Sequence, residues 1–180
     1  MASSVGQPPP LSTERLRIRP FVLDDAPFIV ALLNDPDFIR HIRDRGVRTL
    51  ADAREYLAGP LDSYARHGFG LCCVIEVASG QAVGMCGLLQ RERLPAPDIG
   101  YAFLPAARRK GYAYEAARGV LQFAGAQGIG RVLAITNEHN RASQQLLTKL
   151  GFDYLEQVVF DDDEPPVHCY EVRLTPASSE

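Results

Sequence analysis

The run Arg108-Arg109-Lys110-Gly111-Tyr112-Ala113 sets consecutive cationic side chains beside a glycine, where an extended stretch gives way to helical spacing. Ile99 to Leu104 reads as a strand and Pro105 interrupts it. From Tyr114 to Gln127 the apolar positions, led by Ala113, Ala117, Val120, Leu121 and Ala124, recur with a helical period. The first turn of such a helix leaves its N–H groups unpaired and carries the positive end of the helix dipole. With Gly111 letting the backbone come close, the stretch has the makings of a phosphate site. These residue types specify an anion without choosing which one.

The other chemistry-bearing residues are less organised. Cys72, Cys73, Cys86 and Cys169 form no Cys-x-x-Cys pair, and no histidine stands at zinc-site spacing from them. They read as small core residues of a protein in a reducing, cytoplasmic setting, and no metal is expected. Arg40, His41, Arg43, Arg45 and Arg48 make one basic cluster, and Asp161, Asp162, Asp163 and Glu164 make an acidic one.

The elements that must position these residues follow from periodicity and capping. Residues 1–12, with Pro8-Pro9-Pro10, read as a flexible tail, and 13–176 as one domain. Thr13 to Pro20 alternates as a half-buried strand, and Asp24 or Asp25 caps a helix carrying Phe28, Ile29, Leu32 and Leu33. That helix is expected to end at Asn34-Asp35-Pro36. Thr49 with Asp52 is a capping signal for the next helix, which Gly59-Pro60 should kink or split. Phe69–Ala78 and Ala82–Gln90 are strands around a turn at Ser79-Gly80-Gln81. Arg131–Thr136 is a further strand, and Asn140 caps a helix that Gly151 closes. Tyr154–Phe160 and Val167–Leu174 end the chain as strands. The order predicts a single-domain α+β fold with a mixed sheet of about seven strands flanked by helices.

Bulk properties narrow the function. The chain of 180 residues can bury a core without staples, and its net charge of −3 argues against nucleic acid as a partner. No apolar run reaches the roughly 20 residues that span a bilayer, so no membrane role is expected.

The order of elements and several local patterns resemble the GNAT superfamily of N-acetyltransferases, most closely its ribosomal-protein N-terminal acetyltransferase (Rim) branch. The patterns are Thr13-Glu14-Arg15-Leu16 through Arg19-Pro20 with Asp25-Ala26, then Asp98-Ile99-Gly100-Tyr101. The Arg/Gln-x-x-Gly-x-Gly/Ala turn is met by Arg108, Gly111 and Ala113, and Asn140-x-x-Ser143 continues to Lys149-Leu150-Gly151-Phe152. The resemblance implies acetyl-CoA as the donor, an amine acceptor (a protein N-terminus or a small molecule), and a monomer or homodimer. It implies that Arg108 is part of the cofactor-binding turn and that the backbone of Arg109 to Ala113, including Tyr112, wraps the pyrophosphate of coenzyme A. Phe103 and Leu104 would meet the pantetheine arm through main-chain groups. Arg109 and Lys110 either add charge near the phosphates or form a solvated turn. Asn140 and Ser143 would lie beside the thioester end, with Asn140 also serving as a helix cap.

Acetyl transfer to an amine needs a base, because amines titrate from about 8 to about 10.4. Asp98 matches the family's acidic position before Ile-Gly-Tyr and is the first candidate, acting through a water because aspartate is short. Its alternative is a plain strand-edge acid. Glu92 and His41 rank lower. Where many members carry a tyrosine that protonates the departing thiolate, this chain has Leu147, which leaves Ser143 as the suspected acid. The acceptor stays open, since the basic and acidic clusters would select opposite charges. A catalytically silent acyl-CoA-binding module is the competing reading. A nucleotide-binding domain ranks lower, because the turn lacks a P-loop ending and the glycines are in the wrong order for a dinucleotide site.

Overall fold

The turn at 105–111 is held by a sheet that winds in sequence order until its last members. The computed structural model describes residues 6–175. Its strands are β1 (Leu11–Ser12), β2 (Leu16–Pro20), β3 (Leu71–Glu76), β4 (Gln81–Leu89), β5 (Asp98–Phe103), β6 (Arg131–Thr136), β7 (Asp153–Val158) and β8 (Val167–Arg173). They form one 8-stranded sheet in the order β1-β2-β3-β4-β5-β6-β8-β7. Every pairing is antiparallel except that of β5 with β6. The mixed sheet agrees with expectation, and its additional strand comes from the tail. Leu11 and Ser12 pair with Ile18 and Arg17, and Pro8 is buried, so the loose stretch expected over 1–12 is ordered in this part. Residues 1–5 and 176–180, and with them the expected end of the domain at 176, lie outside the described residues.

The helices are α1 (Ala26–Leu33), α2 (Pro36–His41), α3 (Leu50–His67), α4 (Tyr112–Ala126) and α5 (Arg141–Lys149). They cover the sheet on both faces. One face packs Leu16, Ile18, Ile99 and Phe103 against Ala117, Val120 and Leu121 of α4 and Leu147 of α5. The other packs Cys73, Met85 and the flank of Ala102 against Ile29, Leu33, Phe38 and Leu57 of α1 to α3. Because side chains alternate along a strand, odd-numbered residues of β5 face α4 and α5, while even-numbered ones face α1 to α3.

Two helical expectations need correction. Pro60 does not split α3, which runs through it as one helix of 18 residues. An interior proline costs about 3 kcal/mol of helix propensity, but Ala53, Leu57, Pro60 and Tyr64 form a buried stripe that offsets it. The Thr49–Asp52 capping box and Gly68 in the left-handed conformation fix the two ends of α3. Second, Asn34-Asp35-Pro36 does not only end α1; it also starts α2. The Asp35 carboxylate accepts from the Phe38 N–H at 3.1 Å, with Pro36 in the first turn.

The four cysteines are buried free thiols, as their apolar context suggested. Burial pushes Cys72 up to about 11 and Cys73 up to about 12.

Gly87 shows how tightly β3 and β4 are drawn together: a Cβ there would lie 2.0 Å from the carbonyl oxygen of Gly70. Backbone cannot give way as a side chain can, so Gly87→Ala is expected to destabilise the fold by roughly 3 kcal/mol. Denaturant unfolding would measure it, and an unchanged midpoint would contradict this packing.

Candidate active site

β5 and β6 run side by side for only one register pair, Asp98 with Leu133, next to a hydrogen bond from Leu133 N–H to Pro97 O of 2.8 Å. Beyond it the strands part. The hydrogen bond from Leu104 N–H to Val83 O, 2.9 Å, continues the β4 ladder. Antiparallel pairing alternates, so even-numbered residues of β5 turn their main-chain groups toward β4. Tyr101 and Phe103 turn theirs toward the gap. Of the main-chain positions expected to meet a pantetheine arm, Phe103 therefore faces the gap and the Leu104 N–H is spent on β4. Tyr101, two residues earlier, shares that gap-facing orientation.

At the open end, Pro105–Ala107 makes a turn of 3-10 helix and the chain then enters the cationic stretch. Gly111 is left-handed at φ 80° as the N-cap of α4, and Arg109 is the only described non-glycine residue with positive φ, at 60°. Among the described residues, no N–H from Arg109 through Ala113 meets a protein acceptor. Successive amides at a helix start, in a segment that alternates into left-handed φ, form an anion cradle.

The side chains around this cradle divide into supports and free cations. Arg108 points away from it. Its guanidinium binds Asp35, donates to Asp37 Oδ2 at 2.7 Å, and donates through Nε to the Phe103 carbonyl at 3.1 Å. Asp35 is 7% exposed and also caps α2, so Arg108 fastens the end of β5 and the turn to the α1–α2 corner. Arg15 supports the turn from below. It donates to Lys110 O at 2.8 Å, pairs with Glu115 at 2.7 Å, and lies over the Tyr112 ring at 4.6 Å. Glu115 also accepts from Thr13 Oγ1 at 2.6 Å, which accounts for the Thr13–Arg15 pattern. Tyr112 O–H donates to Glu76 at 2.5 Å. Arg109 is exposed with no acid within ion-pair reach among the described residues, and Lys110 reaches Glu76 only at 3.9 Å.

On the α5 side, Asn140 caps the helix by accepting from Ser143 N–H at 3.1 Å. Ser143 Oγ in turn shares a hydrogen bond of 2.7 Å with the Tyr101 hydroxyl. This contact links β5 to the first turn of α5 on the α4–α5 face. Burial pushes the Tyr101 phenol up to about 12, against the pull of its bond to Ser143. Tyr101 was not singled out in the sequence for this contact. Its signal was the alternation that puts it on the face opposite Asp98, but its partner lies 42 positions away and cannot be read locally. Leu147, where the acid tyrosine would stand, is fully buried.

Asp98 sits at the vertex where β5 and β6 meet, on the α1–α3 face. Its side chain is 1% exposed and both oxygens accept from Arg91 Nε, at 3.0 and 3.2 Å. Burial raises its pKa above the ordinary carboxylate range although Arg91 pulls the other way. An open cavity of about 280 Å³ adjoins this vertex, lined by Leu94, Leu133, Glu156 and Cys169. The structure thus brings Arg109–Ala113, the gap-facing backbone of β5, Ser143 and Asp98 around the one parting of the sheet. Asp98 and Ser143 lie on opposite faces of it. Among the described residues no group of side chains could hold a metal ion, and no helix is long and apolar enough to cross a membrane.

Removing Arg108 would leave the buried Asp35 carboxylate without a cationic partner. Arg108→Ala is expected to cost about 3 kcal/mol in denaturant unfolding and to loosen the turn, read as weaker coenzyme A binding by calorimetry. Wild-type values for both would show that the turn holds itself.

A family model of the acetyltransferase (GNAT) domain matches residues 15–153. The uncharacterized protein YkkB of Bacillus subtilis (strain 168) is 28% identical over 152 residues, covering 82% of this chain and 87% of YkkB. An acetyltransferase (GNAT family) from Bacillus anthracis superposes with a TM-score of 0.75 at 24% identity, covering 92% of this chain and 98% of that one. RimL, a ribosomal L7/L12 alpha-N-protein acetyltransferase solved in complex with coenzyme A, superposes with a TM-score of 0.81 at 15% identity. That match covers 94% of this chain and all 100% of RimL.

Proposed function

The chain belongs to the GNAT acetyltransferase family, and from that premise we propose that it moves the acetyl group of acetyl-CoA directly to a primary amine. The observation that carries this reading is the run of N–H groups from Arg109 to Ala113 without protein acceptors, set at the mouth of the β5–β6 parting. These amides hold the pyrophosphate, and Arg109 and Lys110 add positive charge beside it. The gap-facing main chain of Tyr101 and Phe103 orients the pantetheine arm. Acetyl-CoA, when bound, supplies an activated acyl carbon on a thiol leaving group.

Asp98 takes a proton from the attacking amine through an intervening water, from the face of α1 to α3. On the other face, burial keeps Tyr101 protonated at working pH, and in this reading its hydroxyl donates the shared hydrogen bond to Ser143 Oγ. The Ser143 proton is then free to be aimed at the departing thiolate. Asn140 fixes the turn that presents Ser143. Holding donor and amine on opposite sides of one parting supplies much of the acceleration through positioning alone.

The test is thiol release from acetyl-CoA across N-terminal peptides, amino acids, polyamines and aminoglycosides. Tight coenzyme A binding without release to any acceptor would favour the catalytically silent module. Ser143→Ala is expected to lower kcat roughly tenfold to a hundredfold while changing the KM for acetyl-CoA less. Tyr101→Phe should act in the same direction. An unchanged kcat in Ser143→Ala removes Ser143 from proton transfer.

For Asp98 the active form is the carboxylate. As pH falls through its raised pKa, kcat/KM is expected to decline, and to do so above the ordinary carboxylate range. Asp98→Asn should lose about a hundredfold in kcat/KM and flatten that acid limb. A limb that persists in Asp98→Asn would assign it to the amine or to another group.

A further inference from the structure

The polar side chains around Asp98 are more specific than a base requires. Arg91 gives Asp98 only its Nε, and its terminal nitrogens meet no protein acceptor among the described residues. Phe160 lies against the same guanidinium, 5.7 Å from its ring centre. Arg45, from the segment between α2 and α3, has no carboxylate within ion-pair distance among the described residues. Its neighbours do: Arg43 pairs with Glu164 at 3.1 Å, and Arg48 with Asp44 at 2.7 Å. Arg45 is an exposed residue overall, yet its guanidinium is partly stripped of water, which lowers its pKa. Arg91, Arg43, Tyr56 and Glu164 lie within electrostatic reach of it, and Tyr56, half-buried on α3, lies within reach of both Arg45 and Arg91. Arg45 is exposed, and half-buried Arg91 has no fully buried nitrogen without a partner, so both guanidinium groups are open to a ligand from solvent.

A cation that loses water without gaining a counter-ion is uncompensated. At this vertex Arg45 has no ion-pair partner among the described residues, Glu164 acting on it only at longer range, while the only described acid paired with Arg91 is Asp98. The acidic loop does not reverse the balance, because Glu164 is already paired with Arg43 and Asp161, Asp162 and Asp163 are exposed. A polyamine would meet like charge.

We propose that the acceptor carries a carboxylate close to its reacting amine, and that Arg45, Arg91 and Tyr56 bind that carboxylate while Asp98 faces the amine. This deepens the acetyl-transfer reading and rests on it. Arg91 touches Asp98 through Nε and offers its terminal nitrogens to the ligand, so one guanidinium spans both groups. The amine and the carboxylate must then lie only a few bonds apart. Both the α-carboxylate of a free amino acid and an acidic side chain at the first residue of a peptide meet this condition.

The experiment uses the full chain with acetyl-CoA and paired acceptors that differ only in this charge. The pairs are α-amino acids against their carboxamides, and peptides beginning with Glu against those beginning with Gln, with spermidine as a cationic control. The charged member of at least one pair is expected to exceed its neutral partner about tenfold or more in kcat/KM, the scale of one charge-assisted hydrogen bond. Whichever pair responds identifies the source of the carboxylate. Arg45→Gln should erase that ratio, with coenzyme A binding measured alongside as a check on folding. Equal rates within every pair, or a preference for spermidine, would overturn the proposal. Should no acceptor release thiol, the transfer reading fails by itself. Calorimetry of the same pairs on coenzyme A-saturated protein then decides the carboxylate site: binding of the charged member that Arg45→Gln abolishes upholds it, and no difference between members overturns it.

Discussion

The parting of β5 from β6 after a single register pair is the constraint on which the rest of the molecule depends. A sheet that opens at its centre leaves main-chain donors and acceptors facing a gap, and buried backbone groups left unpaired are costly. The fold must therefore pin the gap open from outside it. Arg108 does this at the mouth, binding the Phe103 carbonyl with one nitrogen and the α1–α2 corner with the others. Glu115 and Arg15 do it from the β1–β2 edge. The Tyr101–Ser143 bond spans the interior. Each tie joins elements distant in sequence, so the opening is a property of the whole fold and not of one loop.

What was legible in the sequence was what local chemistry determines. Gly111 at a helix start, the Thr49–Asp52 box and the Asn140 cap depend on residues within four positions of each other, and all are formed. The strand and helix flanking the cationic turn were readable for the same reason. Pro60 was misread because a local rule was outweighed by the burial of a whole helix face. Arg108 looked like a phosphate ligand by its type, but Asp35 and Asp37, more than 70 positions away, claim its side chain. The assignment of Leu104 depended on ladder register, which one strand cannot reveal. Tyr101 was visible as a residue, though its role depends on where α5 begins.

The opposed charge clusters illustrate the same boundary. Read along the chain, a basic stretch and an acidic loop imply contradictory ligands. In the fold, Arg43 and Glu164 cancel each other across the cleft, and Arg48 and Asp44 cancel locally. Pairs this exposed contribute little to stability. Their effect is to subtract charge, so of the arginines in that basic stretch only Arg40 and Arg45 keep no ion-pair partner among the described residues.

The burial of the cysteines has a practical consequence. Chemistry that liberates a thiol is followed with reagents that attack thiolates, and a protein's own cysteines are the usual background. Here every cysteine is buried, and loss of water raises each of their pKa values, to about 11 for Cys72 and Cys169 and about 12 for Cys73. Thiolate is the reactive form and access limits its attack. The folded protein is therefore nearly silent to such reagents, and a slow rise in signal without acceptor would report unfolding, not turnover.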